Sequence, residues 1–550
     1  MAALPTGRMK RELGLWGLTA MGITGVVGSG WLFAAFFAAK LAGPAAVVAW
    51  LIGGGLMVLT GLCFAEVATA YPLSGGGAQL ATATHGRTIG LVSMWLLYLG
   101  YVSTPAIEAA AIIDYTGSYF PSLVEESGAV LSWKGRGVAV GVAWVFVVLN
   151  FFSIRWFNRL NSTLTWWKFA IPLLVVGLLL LERFEWSNFG WDQPAGSPQS
   201  FMPMGWGGVL AALSAGGVVF SLSGFRIVAD MAEEAANPGR DIPRAFGIAI
   251  LFATGLYVLV QGAFIGALDP SSHADGWASL GFSGDSAPLV TLLKLAGIAW
   301  LANVLYVDAV ISPGGSCLAY TAATARVGYA VSNAGYAPRL FSQINGKGVP
   351  FMSLLACAGI STLLIALYPA WDQLAALNAA AYFLSVAPVA VVLLALRKID
   401  PDGRRPFRLP FAPLVAWAAF ASNALIVSWC GPKAVVPTAA AALLAILGDH
   451  FHARRATNDR VPDHWSQWGW MVLLLVVVGA VSLVGDPAVG GYGWLPAPWD
   501  SFLTASAATG ALWWAWKGRS SSREARQALS EIRTRVSASM EQSGRSAQRA

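Results

Sequence analysis

Long apolar runs alternate with short polar segments along the whole chain. Fourteen runs have about the length that a membrane-spanning helix needs, ~20 mostly apolar residues. The polar segments between them are too short for a soluble domain, so the pattern predicts an all-α polytopic membrane protein. The runs cover residues 13–37, 43–70, 91–118, 137–153, 161–181, 206–231, 246–268, 289–329, 350–369, 373–396, 411–430, 432–449, 468–485 and 500–516.

Composition supports the membrane interpretation. Of the 550 residues, 56% are hydrophobic and only 11% are charged, whereas an ordinary soluble domain is roughly 25% charged. The 60 glycines and 28 prolines are tolerated in bilayer helices. The four cysteines are far apart in or beside apolar runs, which indicates core residues rather than disulfides or a zinc site. The composition excludes collagen-like and disordered chains.

The basic residues predict the orientation in the membrane. With the N-terminus on the cytoplasmic side, 27 Lys and Arg residues fall on that side, counting Arg326 at the cytoplasmic end of the eighth run. Five fall on the other side and three lie deeper inside runs. Because cytoplasmic loops carry the excess of positive charge, both termini are expected in the cytoplasm and the protein in the cell membrane. The net charge of +7 therefore reflects loops facing the cytoplasm, and nucleic acid is not expected as a partner.

Two runs contain small residues at their middle. The first includes Gly25, Gly28, Ser29 and Gly30, and the sixth has the sequence FSLSGF at residues 220–225. Gly costs about 1 kcal/mol relative to Ala inside a helix, and Ser can bond to local backbone groups instead of continuing the helix. The two runs are five apart in order, so we expect breaks at corresponding places in two five-helix repeats. Such breaks indicate a substrate site between the repeats.

A broken helix exposes backbone groups that suit a zwitterion. The N-terminal end of a half-helix favours a carboxylate, while freed carbonyl oxygens favour an ammonium group. Together they predict an α-amino acid as the ligand. The alternative is that the glycines only permit close helix packing, as small residues often do.

Four motifs in order resemble those of a known superfamily of transporters. They are GSGWLF at residues 28–33, FAEVA with YPLSGG at 64–76, AEEAANP with DIPRA at 232–245, and AR with GYAP at 325–338. From about residue 13 to about residue 400 the chain resembles the amino acid, polyamine and organocation superfamily. Two extra helices, Trp31 and the residues 224–226 are most similar to the aspartate:proton symporter branch.

The resemblance implies a fold and its boundaries. The fold is a five-plus-five inverted-repeat (LeuT-like) core with alternating access, in which helices 1 and 6 are broken. The first repeat would cover residues 13–185 and the second 200–398, with accessory helices at 405–518. Residues 1–12 would form a cytoplasmic N-terminus and 519–550 a basic cytoplasmic tail. Within that tail, Leu529, Ile532, Val536 and Met540 have helical spacing, which indicates either an amphipathic helix on the inner leaflet or a solvated, disordered tail.

The resemblance also implies substrate-binding residues. Backbone groups at Val26, Gly28, Ser29 and Gly30 would hold the α-carboxylate and part of the ammonium group. Carbonyl oxygens around Phe220 and Ser223 would hold the rest of the ammonium group, and the Phe220 ring would act as a gate. Ser221 and Gly224 belong to the same break.

Five ionisable residues inside runs are candidates for function, because such residues are costly in a bilayer. The resemblance implies that Lys168 stands where sodium-coupled members of the superfamily bind an ion, and burial would allow it to lose and regain a proton. The alternative is that Lys168 extends to the membrane interface. Arg226 replaces an acidic residue of most relatives and suits a second substrate carboxylate, or it forms an ion pair with Asp230 or Glu66. Glu108, Asp114 and Asp308 either relay protons or pair with other polar groups.

These features predict a secondary active transporter that imports an amino acid, specifically an acidic one, together with protons. The alternatives are an amino acid or polyamine exchanger and a sensor that does not transport. Expected partners are the substrate, protons and the lipid bilayer, with no cofactor, no metal and no obligatory protein partner. The sequence lacks a GxxxxGK[ST] phosphate loop and HExxH or GxSxG motifs, so neither direct use of ATP nor enzymatic activity is expected.

Overall fold

The computed structural model is helical throughout the part of the chain that it describes. That part comprises residues 13–73, 76–125, 130–152, 154–194, 196–282, 287–345, 349–455, 464–519 and 525–534. It contains no β-strand, only two isolated bridges, which join Leu13 to Ala235 and Val124 to Leu131.

The helices of the first half occupy the first five predicted runs and one connection. They are α1 (Leu15–Val26), α2 (Gly30–Ala42), α3 (Ala46–Ala70), α4 (Gly76–His85), α5 (Arg87–Thr116), α6 (Trp133–Phe152) and α7 (Ile154–Glu182).

The next five runs form the second half. Their helices are α8 (Gly205–Ser214), α9 (Val218–Leu222), α10 (Ile227–Asp230), α11 (Pro238–Gly266), α12 (Pro288–Leu295), α13 (Ala299–Asn333), α14 (Phe351–Leu367), α15 (Trp371–Val386) and α16 (Pro388–Ile399). The remaining four runs form α17 (Ala412–Trp429), α18 (Pro432–Arg455), α19 (Trp465–Val484) and α20 (Trp499–Gly518).

Each predicted run coincides with a helix or with consecutive helices. Within the described residues, nine helical stretches are long and apolar enough to cross a membrane, and the bent pair at residues 205–230 would be a tenth. Among the helices outside this set, α14 has only 17 residues, whereas α7 and α20 have 29 and 20. The prediction of an all-α, multi-pass membrane protein with a five-plus-five core is confirmed.

Helix ends differ from the predicted ones where polar residues continue a helix. The helix of the third run, α5, begins at Arg87, and the helix of the seventh run, α11, begins at Pro238. A helix extends beyond the bilayer as long as its backbone hydrogen bonds are made. The eighth run is divided into α12 and α13 by Gly297, whose φ of 76° ends the first helix. A helix at residues 76–85, outside any run, was not predicted.

The break in the first run lies where it was predicted, but the sixth run is broken earlier. Helix α1 ends at Val26 and α2 starts at Gly30. In the sixth run α8 ends at Ser214, and the chain bends by 45° before Val218. Gly217 provides this bend with a φ of 81°, a conformation that favours glycine. The predicted segment instead forms the short helix α9 and a 3₁₀ turn at Ser223–Arg226.

Helix α5 lies at the centre and packs against α13 and α15. On the other side of the broken helices, α11 packs against α1 and α3. This arrangement brings both breaks against the middle of α5. The accessory helices pack outside, with α17 against α3 and α20 against α17 and α19.

The tail includes a helix at residues 525–534, named α21 here. Its Leu529 is 2% exposed, and Arg526 Nε donates to the Ile399 carbonyl at 3.0 Å. Arg533 pairs with Asp400. The apolar side of α21 therefore packs against the protein. The sequence had suggested instead an amphipathic helix on the inner leaflet or a disordered tail. Val536 and Met540 lie outside the described residues.

Candidate substrate site

The two broken helices approach each other closely at their glycines. A β-carbon on Gly30 would overlap the Ser221 hydroxyl oxygen, and one on Gly224 would overlap the backbone of Gly25. Only glycine lets the two backbones come this near. The predicted motifs at residues 28–30 and 220–225 are thus neighbours in space.

The start of the half-helix α2 carries a buried carboxylate. Glu108 Oε2, from α5, accepts a hydrogen bond from the Ser29 backbone N–H at 2.9 Å. The other oxygen, Oε1, lies 2.5 Å from the place that a Gly28 β-carbon would occupy. A hydrogen bond to a charged group contributes roughly 1.5 to 3 kcal/mol. The protein itself therefore places a carboxyl group at the N-terminal end of α2, where the partial positive charge of the helix lies.

The carbonyl oxygens freed by the breaks are met by hydroxyl groups. Tyr257, from α11, donates to the Val26 carbonyl at 2.9 Å. Tyr382, from α15, donates to the Ser223 carbonyl at 2.6 Å. Ser223 Oγ in turn donates to the Phe220 carbonyl at 2.7 Å. These bonds satisfy backbone groups that bilayer depth would otherwise leave unpaired.

A narrow cavity lies between the breaks and α5. From the broken helices its lining includes Val26, Gly28, Gly30, Phe220, Ser221 and Ser223. From α5, α13 and α15 it includes Tyr101, Thr104, Glu108, Tyr320, Asn378 and Tyr382. Its mixture of backbone, hydroxyl and amide groups suits a small polar ligand.

An aromatic cluster closes one side of this site. Trp371 stacks on Phe33 and Phe37, with ring centres 5.4 and 5.6 Å apart, and meets the edge of Phe220 at 5.7 Å. Its Nε1 donates to Ser29 Oγ at 2.9 Å. Ser29 is fully buried beneath this ring. Phe220, the expected gate, thus lines the cavity and contacts Trp371 at the same time.

Known proteins of similar sequence identify the family of the chain. Residues 13–448 match the amino acid permease family. The chain belongs to that family. The glutamate/serine transporter AimA of Bacillus subtilis is 31% identical over 505 residues, which is 90% of this permease and 92% of the relative. The aspartate-proton symporter of B. subtilis is 29% identical, over 92% of this chain and 96% of its own.

A more distant relative comes from animals. The human Asc-type amino acid transporter 1 is 24% identical over 85% of this permease and 88% of its own length. The predicted superfamily is thereby confirmed. The permease therefore belongs to an amino acid transport family. Its many apolar helices make it a multi-pass membrane protein.

Lys168 of the permease is buried rather than extended towards the bilayer surface. Its Nζ donates a hydrogen bond to Oγ of Ser316, on α13, at 2.8 Å. The ammonium group interacts electrostatically with Glu108 and Asp308. Asp308 Oδ1 accepts from Trp167 Nε1 at 2.7 Å and from Ser312 Oγ at 2.6 Å. The three predicted coupling residues are thus brought together beside the first break.

Arg226 does not line the cavity in this conformation. Its Nε lies 3.6 Å from Asp230 Oδ1, and Nη1 donates to Ser385 Oγ at 3.3 Å. Asp230 also accepts a hydrogen bond from Tyr101. Glu66, the other partner considered for Arg226, instead pairs with Arg397 at 2.6 Å.

Several residues of the site carried no signal in the sequence. Tyr257, Trp371, Asn378 and Tyr382 reach the breaks from helices that are distant in sequence. A polar or aromatic residue in an apolar run is common, so nothing in the pattern separates these from core residues. Among the described residues no group of three His, Cys, Asp or Glu side chains is placed to bind a metal.

Proposed function

We propose that this permease imports an amino acid together with protons by alternating access between its two repeats. The observation that carries the proposal is the cavity between the two breaks, which joins the N-terminal end of α2 to the carbonyl ends of α1 and α9. A carboxylate suits the first and an ammonium group suits the second. Phe220 and Trp371 then form the gate on one side.

The cluster around Lys168 supports coupling to protons rather than to sodium. An ammonium group held by Ser316 occupies the space between α7 and α13, and two carboxylates lie within its electrostatic reach. A buried lysine can lose and regain its proton because burial disfavours the charged form. We propose Lys168, Glu108 and Asp308 as the groups that carry the proton.

The lining of the cavity favours a small polar side chain. It presents the hydroxyl groups of Tyr101, Thr104 and Tyr320 and the amide of Asn378. Among the described lining residues there is no lysine or arginine. Serine is therefore our first candidate. An acidic amino acid is the second, supported by the printed names of two relatives and requiring Arg226 to exchange Asp230 for the substrate.

Uptake by the full-length protein in liposomes tests the proposal. Labelled serine, glutamate, aspartate, alanine and leucine are offered with an inward proton gradient, a sodium gradient or neither. We expect accumulation of at least one amino acid with the proton gradient alone, and none in empty liposomes. Counterflow without any effect of pH would favour an exchanger. Binding without any flux would favour a sensor.

Exchange of Arg226 for Gln separates the two substrate candidates. If Arg226 binds the second carboxylate, losing one charged hydrogen bond of roughly 1.5 to 3 kcal/mol weakens glutamate and aspartate by about ten- to hundredfold, while serine is unaffected. The measurement is competition against a labelled amino acid. Arg183→Gln, which removes an arginine paired with Asp269 outside the cavity, is the control. Equal losses for all ligands would assign Arg226 a structural role.

The proposed orientation places both termini in the cytoplasm and the protein in the cell membrane. It is supported by the distribution of basic residues. Accessibility of single cysteines placed in the loops at residues 117–120 and 400–408 to an impermeant reagent tests it, with labelling from outside expected only for the first loop.

A further inference from the structure

We infer that Glu108 holds the place of the substrate's α-carboxylate, so that the substrate and an ionised Glu108 exclude each other at the Ser29 N–H. This inference rests on the proposed function and specifies how binding at that site is controlled. It starts from the hydrogen bond between Glu108 Oε2 and the Ser29 N–H. That N–H lies at the N-terminal end of α2, the feature expected to bind the α-carboxylate.

Space at the break excludes simultaneous occupancy. One backbone N–H satisfies one carboxylate oxygen well, and Ser29 uses it for Glu108 at 2.9 Å. The second oxygen of Glu108 fills the concavity beside Gly28, 2.5 Å from the position of a β-carbon. Both Gly28 and Glu108 line the cavity. A ligand carboxylate that reaches the Ser29 N–H must therefore move the Glu108 carboxylate aside.

Charge makes this displacement depend on a proton. The titratable groups that interact electrostatically with Glu108 are Lys168 on α7, Tyr257 on α11, and Cys317 and Tyr320 on α13. Lys168 is the cation of this set, and it is shared with Asp308. Two carboxylates in one buried site cannot both remain ionised at low cost. Glu108 therefore accepts a proton as the substrate binds.

The step balances without a further reactant. An O–H bond forms between a proton and a Glu108 oxygen, and the hydrogen bond from the Ser29 N–H to Glu108 breaks. The α-carboxylate of the substrate then accepts from the same N–H. When the substrate leaves, Glu108 loses the proton and returns to Ser29. One proton thus binds and leaves with each amino acid.

Binding should consequently weaken as pH rises. For one linked proton, the dissociation constant increases about tenfold for each pH unit above the titration of Glu108. A ligand without the α-carboxylate does not compete for the Ser29 N–H, so its affinity should not show this slope. Ethanolamine, which is serine without its carboxylate, provides that comparison.

The experiment uses the purified full-length protein and variants Glu108→Gln and Asp114→Asn. Affinities for L-serine, L-glutamate and ethanolamine are measured at about every pH unit from roughly pH 5 to pH 9. Proton uptake on binding is followed with a pH-sensitive dye in weak buffer. In the wild type we expect the tenfold slope and proton uptake for the amino acids. Glu108→Gln should bind them without either effect. Asp114→Asn, which removes a buried carboxyl from the same helix, should keep both.

The outcomes separate this inference from the proposed function. If the wild type binds no amino acid, the proposed function itself fails. If it binds amino acids but Glu108→Gln keeps the pH slope or the proton uptake, the exclusion at Ser29 is wrong. Loss of both effects in Lys168→Ala alone would assign the proton to the lysine and overturn the inference for Glu108.

Infrared difference spectra provide a readout that does not depend on the Gln variant being folded. Binding of L-serine or L-glutamate to the wild type should produce the C=O band of a protonated carboxyl group. Glu108→Asp should shift that band, while Asp114→Asn should leave it in place. Absence of the band in the wild type, with binding intact, would also overturn the inference.

Discussion

At the scale of the residue, the glycines of the first break have different neighbours from ordinary membrane glycines. Gly30 lies against Ser221, whereas a β-carbon on Gly55 of α3 would meet nothing within 4 Å. Both are glycines in apolar runs, and only the neighbouring helix distinguishes them. The close contact at Gly30 is what brings the two broken helices around one cavity.

Exchange of Gly30 for Val should abolish substrate binding while the protein still inserts. The added side chain overlaps Ser221, and overpacking of this kind costs roughly 1 to 3 kcal/mol. Binding of the transported amino acid by the purified protein is the measurement. Gly55→Val is the matched control and should bind normally. Normal binding by a correctly inserted Gly30→Val protein would remove this break from the site.

Exchange of Lys168 for Ala should abolish accumulation driven by a proton gradient. The substitution removes the ammonium group that Ser316 holds at 2.8 Å and leaves the two nearby carboxylates without their cation. Uptake into liposomes with an imposed pH gradient is the measurement. Lys294→Ala, on the short helix α12 where the side chain is exposed, should behave as wild type. Retained accumulation in Lys168→Ala, or a strict sodium requirement in the wild type, would contradict this role.

At the scale of the element, α4 is attached to the accessory helices by a buried histidine. His85, at the end of α4 and outside the predicted spans, has Nε2 3.1 Å from the Ala515 carbonyl of α20. Its ring also meets Trp470 of α19 edge-on at 6.2 Å. Burial lowers the pKa of His85 from 6.5 to about 4. The neutral imidazole therefore joins α4 to two helices outside the ten-helix core.

This contact should weaken in acid. Below pH 6.5 the unfolded chain binds a proton at His85 that the folded chain does not bind until about pH 4, so stability falls as pH falls through this window. The contribution lost by pH 4 is about 3 kcal/mol. Apparent melting temperatures of the detergent-solubilised protein from pH 7 to pH 4 are the measurement. The melting temperature of His85→Gln, whose side chain stays neutral, should depend less on pH than that of the wild type. His450→Gln is the control and should follow the wild type. The same pH dependence in His85→Gln and in the wild type would refute the role of this contact.

At the scale of the whole molecule, the tail is joined to the end of the tenth predicted span. In α21, Leu529 is buried, Arg526 binds the Ile399 carbonyl, and Arg533 pairs with Asp400. Asp400 also accepts a hydrogen bond at 2.7 Å from the hydroxyl of Tyr71, the residue that follows α3. The tail helix thus contacts the segment where the core ends and the accessory helices begin.

Exchange of Leu529 for Ala should release this helix. Truncating a buried Leu costs about 2 to 5 kcal/mol, while the neighbouring exposed Gln527→Ala should cost little. The measurement is the rate of tryptic cleavage after Arg526 and Arg533 in the purified protein. Faster cleavage is expected in Leu529→Ala alone. Equal rates in both variants would show that α21 does not depend on this contact.

The fold was predictable from the sequence to a large extent, and the site in part. Apolar runs are long, and each one needs only its own composition to be recognised, because every backbone group in lipid must be bonded within its helix. The first break was found because Gly28, Ser29 and Gly30 are adjacent. The second was placed at residues 220–225 rather than at Gly217, since nothing local showed which of the neighbouring small residues would adopt a positive φ against Trp371.

The sequence by itself determined the class of the protein, the number of apolar runs and the family, because these depend on composition and on motifs of adjacent residues. Only the tertiary structure decided which side chains meet at the breaks. Glu108 reaches the Ser29 N–H across 79 positions, and Arg226 turns to Asp230 rather than to the cavity. Such contacts arise from the packing of helices that are distant in the chain, and no local pattern records the direction in which a buried side chain points.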